Sequence, residues 1–278
     1  MFRKNFLSFT ILTIVSLFYS EGRAAEAAPP LVLAGDRVVD RNVTYDEGGK
    51  TLFVRPSCQF IIHDDCSLLI KDATLKGVRK DTFRFLGNRS GVVLKNVTLE
   101  FCESCNFQRG NIVFLNNVIL TKDPTTREEI TLSPWNLALL GSSRNTSLTI
   151  KDISLKNVRK TTFRFREAEK TRISLNNAIL ELVDDVEWNC GILAIERTPT
   201  FRSGLERPVS FTFSGGRIEK SEGQTIIAEN VALNLGGSAP GGVSVHSDGV
   251  HLSGVMAGGR VRSGGSSVSY PPSSDSQP

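Results

Sequence analysis

One stretch of this chain, SLLIKDATLKGVRKDTFRF from Ser67 to Phe85, returns as SLTIKDISLKNVRKTTFRF from Ser147 to Phe165, with 14 positions identical. Inside each copy apolar residues alternate with polar ones up to an aspartate and then slip by one place. Around Asp72 the apolar positions at minus four, minus two, plus one and plus three are Leu68, Ile70, Ala73 and Leu75; around Asp152 they are Leu148, Ile150, Ile153 and Leu155. The same frame appears around Asn96, Asn117, Asn177 and Asn230, and all 24 framed positions are apolar. Gly215 fits it in part, with Phe211, Phe213 and Ile218 inside and Gly216 as the weak position.

Alternation at period two marks a strand with one buried face, and a slip of one place in a flat strand would turn every later side chain to the wrong side. A chain that bends at the slip keeps both halves facing one interior. Asn and Asp are the non-glycine residues that most readily take the left-handed backbone conformation, and their short side chains bond nearby backbone. Each unit therefore reads as strand, corner, strand. The corners stand at 72, 96, 117, 152, 177, 215 and 230, and their typical spacing is close to one coil of a parallel β-helix. The fold class expected is all-β, a parallel β-helix solenoid with a stacked ladder of Asp72, Asn96, Asn117, Asp152, Asn177 and Asn230. The two long intervals, 117–152 and 177–215, are either side loops or degenerate coils, one of them around Asn136. The AENVAL stretch from Ala228 to Leu233 reads as an eroded third copy. A sandwich or meander would need hairpin turn pairs between strands, and these are scarce.

Positions 1–27 are read as a signal peptide: Arg3 and Lys4, the largely apolar FLSFTILTIVSLFYS, then Ala25-Glu26-Ala27 as a small-x-small cleavage pattern. The mature chain is then expected from Ala28, exported, with the β-helix domain over 28–257 and a Gly/Ser/Pro-rich flexible tail over 258–278. No second apolar run approaches a membrane span, so no transmembrane segment is expected in the mature chain. Its 30 basic and 27 acidic side chains leave a net charge of +3, too balanced for a nucleic-acid partner. Five cysteines, an odd number, leave at least one thiol free or paired with another chain if the compartment oxidises. Cys102-Glu103-Ser104-Cys105 has redox or zinc spacing but no second pair and no nearby His. A local disulfide or buried thiols are expected rather than a metal, and no cofactor.

An apolar-x-apolar-x-Asn-apolar-x-apolar coil with stacked Asn resembles the right-handed parallel β-helix proteins of the pectin-lyase-like superfamily, over about Leu52 to Leu233. The resemblance implies the fold and its right hand. It leaves activity open, since that architecture carries lyases, glycosidases, tailspikes and adhesins. Phe114-Leu115-Asn116-Asn117 is also similar to the Phe-x-x-Asn repeats of chlamydial polymorphic membrane proteins, exported β-helices, although their Gly-Gly-Ala-Ile motif is absent here.

As a family polygalacturonase the chain would need Asn-Thr-Asp and Gly-His-Gly, and it has neither; Asp64-Asp65 and Asp184-Asp185 supply acidic pairs, and Arg217-Ile218-Glu219 falls short of Arg-Ile-Lys. A glycosidase needs two carboxyls within roughly 5 to 9.5 Å of each other. A lyase needs converging carboxylates and a base, for which Asp184, Asp185 and Glu187 are candidates. No complete set can be named, so no catalytic residue is assigned. Binding has more to use. Trp135 and Trp188 fall in the long intervals, where exposed rings would stack on sugars or anchor a protein, the alternative being packing on the solenoid wall. Arg84 and Arg164, outward-pointing between inward Phe83/Phe85 and Phe163/Phe165, would with Arg79, Lys80, Arg159 and Lys160 form a basic stripe for an acidic glycan, or simply the solvated face. The function expected is an exported surface-interaction, adhesin-like or scaffold module with a glycan or surface protein as partner; polysaccharide processing is the alternative.

Overall fold

The computed structural model describes residues 31–107, 109–133, 137–140, 145–221, 223–236, 244–247, 260–263 and 266–269. Over these residues the chain winds as a parallel β-solenoid of about eight turns, and its one helical element is the 3-10 turn Ala168–Lys170. Each turn lays one arm on each of three faces. On face B the stack runs Leu31, Leu52, Leu75, Leu99, Leu120, Ile150, Leu175, Ile195, Lys220, each paired in parallel with the next and one turn away from it.

Face C carries Arg37–Val39, Phe60–Ile62 and Phe83–Phe85, then after a break Cys105–Asn106, Thr131–Ser133, Ser154–Val158, Ile179–Leu182, Thr200–Ser203 and Thr225–Glu229. Ser244–Ser247, Arg260–Ser263 and Ser266–Ser269 extend this face, the last pair antiparallel, so two strands lie in the stretch read as a tail. Face A takes the first halves of the long strands Val43–Val54, Ser67–Val78, Gly91–Phe101 and Asn111–Lys122, followed by Leu137–Leu140 and Phe163–Arg166. After a second break it continues with Val186–Trp188, Val209–Phe213 and Val231–Leu235.

The inward positions of all three faces form one continuous apolar core. Of the 24 framed positions 22 are buried, and the two exceptions, Val113 and Leu115, share one cause. The left-handed residue there is Asn116 (φ 57°), not Asn117, and the pairing slips between Lys95 opposite Leu115 and Val97 opposite Val118. This corner holds two residues, so the buried positions before it are Ile112 and Phe114, counted back from Asn116. Asp72, Asn96, Asp152, Asn177 and Asn230 all take positive φ, between 51° and 55°. Gly215 is at its corner for another reason: a Cβ there would collide with the Cys190 carbonyl oxygen.

The repeat is not in phase with the prism. From the arm 67–71 on face A to its counterpart 146–151 on face B the chain lays down ten arms, three turns and one face more. Ten further arms lead to Thr225–Glu229 on face C, before Asn230, at the expected eroded third copy. Asp72, Asn96 and Asn116/Asn117 therefore stand at the A/B corner, Asp152 and Asn177 at the B/C corner, and Asn230 at the C/A corner. The single six-rung ladder is corrected to short ladders on separate corners. The odd intervals 117–152, 177–215 and 215–230 become one and a third, one and two-thirds, and two-thirds of a turn. The described residues of the long intervals carry solenoid arms, as the degenerate-coil alternative expected, rather than side loops alone.

Candidate functional site

The repeated Arg-Lys-x-Thr-Phe-Arg-Phe builds the same turn twice. The Arg79 N–H donates to Thr82 Oγ1 at 2.8 Å and the Arg159 N–H to Thr162 Oγ1 at 2.9 Å, with both threonines buried. Each turn aims the following phenylalanine inward, Phe83 or Phe163, and leaves the next arginine exposed. Because the copies are one face out of phase, Arg84 lies on face C, opposite Ile61, and Arg164 on face A, opposite Ala138. They do not form one stripe.

Trp188 is wholly buried in the arm Val186–Trp188, edge-on to Phe163 at 4.8 Å and to Phe211 at 5.1 Å. Its interval is a strand and not a loop, so the ring is core and offers no platform to a ligand. Its Nε1 has no hydrogen-bond partner among the described residues. Trp135 and Asn136 lie outside the described residues.

The two acidic pairs stand on the same C/A corner five turns apart, roughly 24 Å at about 4.8 Å per turn. That is well beyond the span of a glycosidase pair. Asp64 and Asp65 meet the Arg89 guanidinium at 3.4 and 2.6 Å, and Asp185 accepts the Ser210 N–H at 2.7 Å. Donors of this kind hold carboxylates as anions: Asp64 is lowered by the Arg89 amide, Asp185 by Ser210 and Glu219 by Arg172. Among the described residues no group of three metal-ligating side chains gathers, and no helix is long and apolar enough to cross a membrane. The five cysteines are all unpaired, and burial pushes the Cys105 and Cys190 thiols up to about 12.

Among the described residues, two cation-lined recesses in the solenoid wall stand out. The larger, about 660 Å³, lies at the B/C corner where the segment 123–130 bows out before Thr131–Ser133. The bow is set locally: the Asp123 carboxylate accepts the N–H and hydroxyl of Thr125, Lys122 Nζ donates to the Glu128 carbonyl at 3.0 Å, and buried Ile130 pins the return. Lys122, Arg127 and Lys151 line the groove with Glu100, Glu129 and Asp152. Each acid has an internal partner: Lys76 at 3.3 Å for Glu100, the Ser154 hydroxyl for Glu129, and the Asn177 amide at 2.9 Å for Asp152. Arg127 and Lys151 have no ion-pair partner among the described residues and are exposed. The long interval 117–152 was the sequence signal for this groove; its reading as a side loop or hidden coil did not place the cations.

The smaller recess, about 260 Å³, sits on face C beside Arg84, with Lys80, Phe85, Asn106, Phe107 and Arg109 around it. By its fold the chain is a parallel β-solenoid, with cation-lined recesses among its described residues. No family model, curated protein or solved structure matches it.

Proposed function

We propose that the chain is an exported β-helix of the pectin-lyase-like kind that works as a surface-interaction module, adhesin-like or scaffolding, with an acidic glycan or the acidic surface of a protein as partner. The observation that carries the reading is the B/C corner groove. Its carboxylates each have a partner within the fold, Lys76 for Glu100, Ser154 for Glu129 and Asn177 for Asp152, while Arg127 and Lys151 are exposed and in no ion pair among the described residues. An anionic ligand therefore meets two exposed cations that it can pair with, and their pull is strongest at low salt. The leader-like segment 1–27 supports export.

The carboxylates whose titration is shifted, Asp46, Asp64, Asp123, Glu167, Asp185 and Glu219, are all shifted downwards. A glycosidase needs one carboxyl held up as a general acid, which is not the state of any of these six. The test is a glycan array combined with a depolymerisation assay on the purified full chain. Salt-sensitive binding without cleavage, weakened at least tenfold by Arg127→Glu with Lys151→Glu, is the expected result. New reducing ends or unsaturated products would replace this reading with polysaccharide processing.

A further inference from the structure

The smaller recess is a seam in the solenoid. Phe83–Phe85 ends the three-stranded sheet of face C, and Cys105–Asn106, the next arm of that face, begins the nine-stranded one; the two do not pair. The second copy has the same break one face further round, where Phe163–Arg166 is followed on face A by Val186–Trp188 without pairing. Interruption of the ladder after Thr-Phe-Arg-Phe is thus a property of the repeat.

The two seams are finished differently. Aligned without gaps from Asn96 and Asn177 onwards, Phe107 corresponds to Trp188, Asn106 to Glu187, and Arg109 to Cys190. In the second copy Trp188 fills the seam, touching Phe163 at 4.8 Å and Phe165 at 6.5 Å. Cys190 is buried, and Glu187 accepts the Ser214 hydroxyl at 2.6 Å. In the first copy the smaller Phe107 meets Phe85 at 6.4 Å and leaves the recess open. Phe85 stays half-exposed at its mouth. Its ring lies against Gly110, where any Cβ would collide with it.

The charges follow the same division. Flanking Arg79 is neutralised by Glu103 and Arg89 by Asp64 and Asp65, but Lys80, Arg84 and Arg109 in the open seam are in no ion pair among the described residues. Three free cations, an aromatic face, and the hydrogen-bonding side chains of Asp81 and Asn106 border one opening. Guanidinium groups bind carboxylate and sulfate in bidentate fashion, an aromatic face takes the apolar side of a sugar ring, and Asp and Asn take hydroxyls. The volume is slightly under the roughly 300 to 1,000 Å³ of drug-sized pockets, which suits one ring of a longer chain.

We infer that the open seam of the first repeat is a subsite for a single carboxylated or sulfated sugar ring of an acidic glycan, and that Trp188 has closed its twin in the second repeat. The inference rests on the interaction-module reading and adds the ligand class and the residues.

The test titrates the purified full chain with a heparin-derived tetrasaccharide, tetragalacturonate, cellotetraose and tetraglutamate. One or both acidic sugars should bind at least tenfold more tightly than cellotetraose or tetraglutamate. Phe107→Trp, which copies the closed seam, should weaken that binding at least tenfold without lowering the melting temperature. Arg84→Glu with Arg109→Glu should abolish it, and Lys50→Glu, at an exposed lysine outside both recesses, should leave it intact. Acidic-sugar binding unchanged in both seam variants, equal affinity for tetraglutamate, or no acidic preference in the wild type overturns the seam assignment. If binding is lost only in the corner-groove variant, the seam fails while the interaction-module reading stands. If the wild type binds nothing on the array, or cleaves what it binds, the broader reading fails as well.

Discussion

The side-chain amide of Asn96 donates to the carboxylate of Asp72 at 2.8 Å, and one face further round Asn177 repeats the bond on Asp152 at 2.9 Å. The donor is one turn above its acceptor in both pairs, so each bond ties neighbouring coils at the residue that bends them. At the A/B corner the chain of contacts continues, with the Asn117 N–H on Asn96 Oδ1 at 3.4 Å and the Ser147 hydroxyl on Asn117 Oδ1 at 2.8 Å. Asn117 is therefore a rung, while Asn116 makes the bend.

That division predicts unequal mutants. Asn116→Val forces a β-branched residue to φ 57° and should cost about 1 to 3 kcal/mol. Asn116→Gly should stay within about 0.5 kcal/mol, since glycine takes that conformation freely. Denaturant unfolding of the two variants checks this, and equal stabilities would place the bend elsewhere.

Trp188→Ala should lose about 3 to 5 kcal/mol, as large buried aromatics do. Trp188→Phe should lose much less, because it also removes an indole N–H that is buried without a partner. In a Trp135→Phe background, Trp188 fluorescence should resist iodide quenching until the chain unfolds. Quenching in the folded chain would contradict its burial.

On the acid side stability should fall as carboxylates titrate. Asp185 and Glu219 are depressed below their ordinary 3.8 and 4.5 by Ser210 and Arg172, so the unfolded chain takes up protons first. Their stabilisation is whole above the unfolded values and disappears as pH drops through the lower folded ones. Both sites are partly solvated, so the effect of each is small. Melting temperature measured from pH 6 to pH 2.5 should decline below about pH 4.5, with a shallower decline for Glu219→Gln.

At pH 8 Cys102, Cys105 and Cys190 should carry little thiolate in the folded chain. Cys105 and Cys190 are pushed up to about 12 by burial, and half-buried Cys102 is raised for the same reason. Iodoacetamide should reach Cys102 before either, and Cys105 and Cys190 only with denaturant. Mass mapping of the labelled sites decides it.

What was legible in the sequence followed from local chemistry. Asx residues at positive φ between period-two apolar runs identified the corners, because few other residues tolerate that conformation. The face on which a corner falls depends on how many arms precede it, and short arms with an incomplete frame, such as Val186–Trp188 after Asp185 and Leu137–Leu140 after Asn136, are hard to count. Without that count the long intervals stayed open between loop and degenerate coil, and Trp188 between platform and core. Its absence also set Arg84 and Arg164 on one stripe. At Asn116-Asn117 two candidate residues are adjacent, and only the pairing with Lys95 and Val97 separates them. The seam needs the third dimension entirely, since Lys80, Arg84 and Arg109 converge across stacked turns.

The ten-arm repeat makes a prediction about the whole chain. Deleting residues 72–151 removes ten arms and joins Lys71 to Asp152, so every later arm moves back one face. The arm 154–158 would then stack on 50–53 as 73–78 does now, and 163–166 would stack on 60–62 in the place of 83–85. Those arms are near-copies of the ones they replace, and the Asn177 to Asp152 bond travels with them. Solenoid stability is approximately a sum of coil and nearest-neighbour terms, so the shortened chain should fold with a native-like β circular dichroism spectrum and a cooperative melt. A deletion of equal length displaced along the repeat, 78–157, cuts both copies in mid-arm but rejoins equivalent residues, and should behave alike. Removal of 72–130 brings unlike arms together and should aggregate. Folding of all three, or of none, would show that the face on which an arm sits is fixed by something other than the ten-arm repeat.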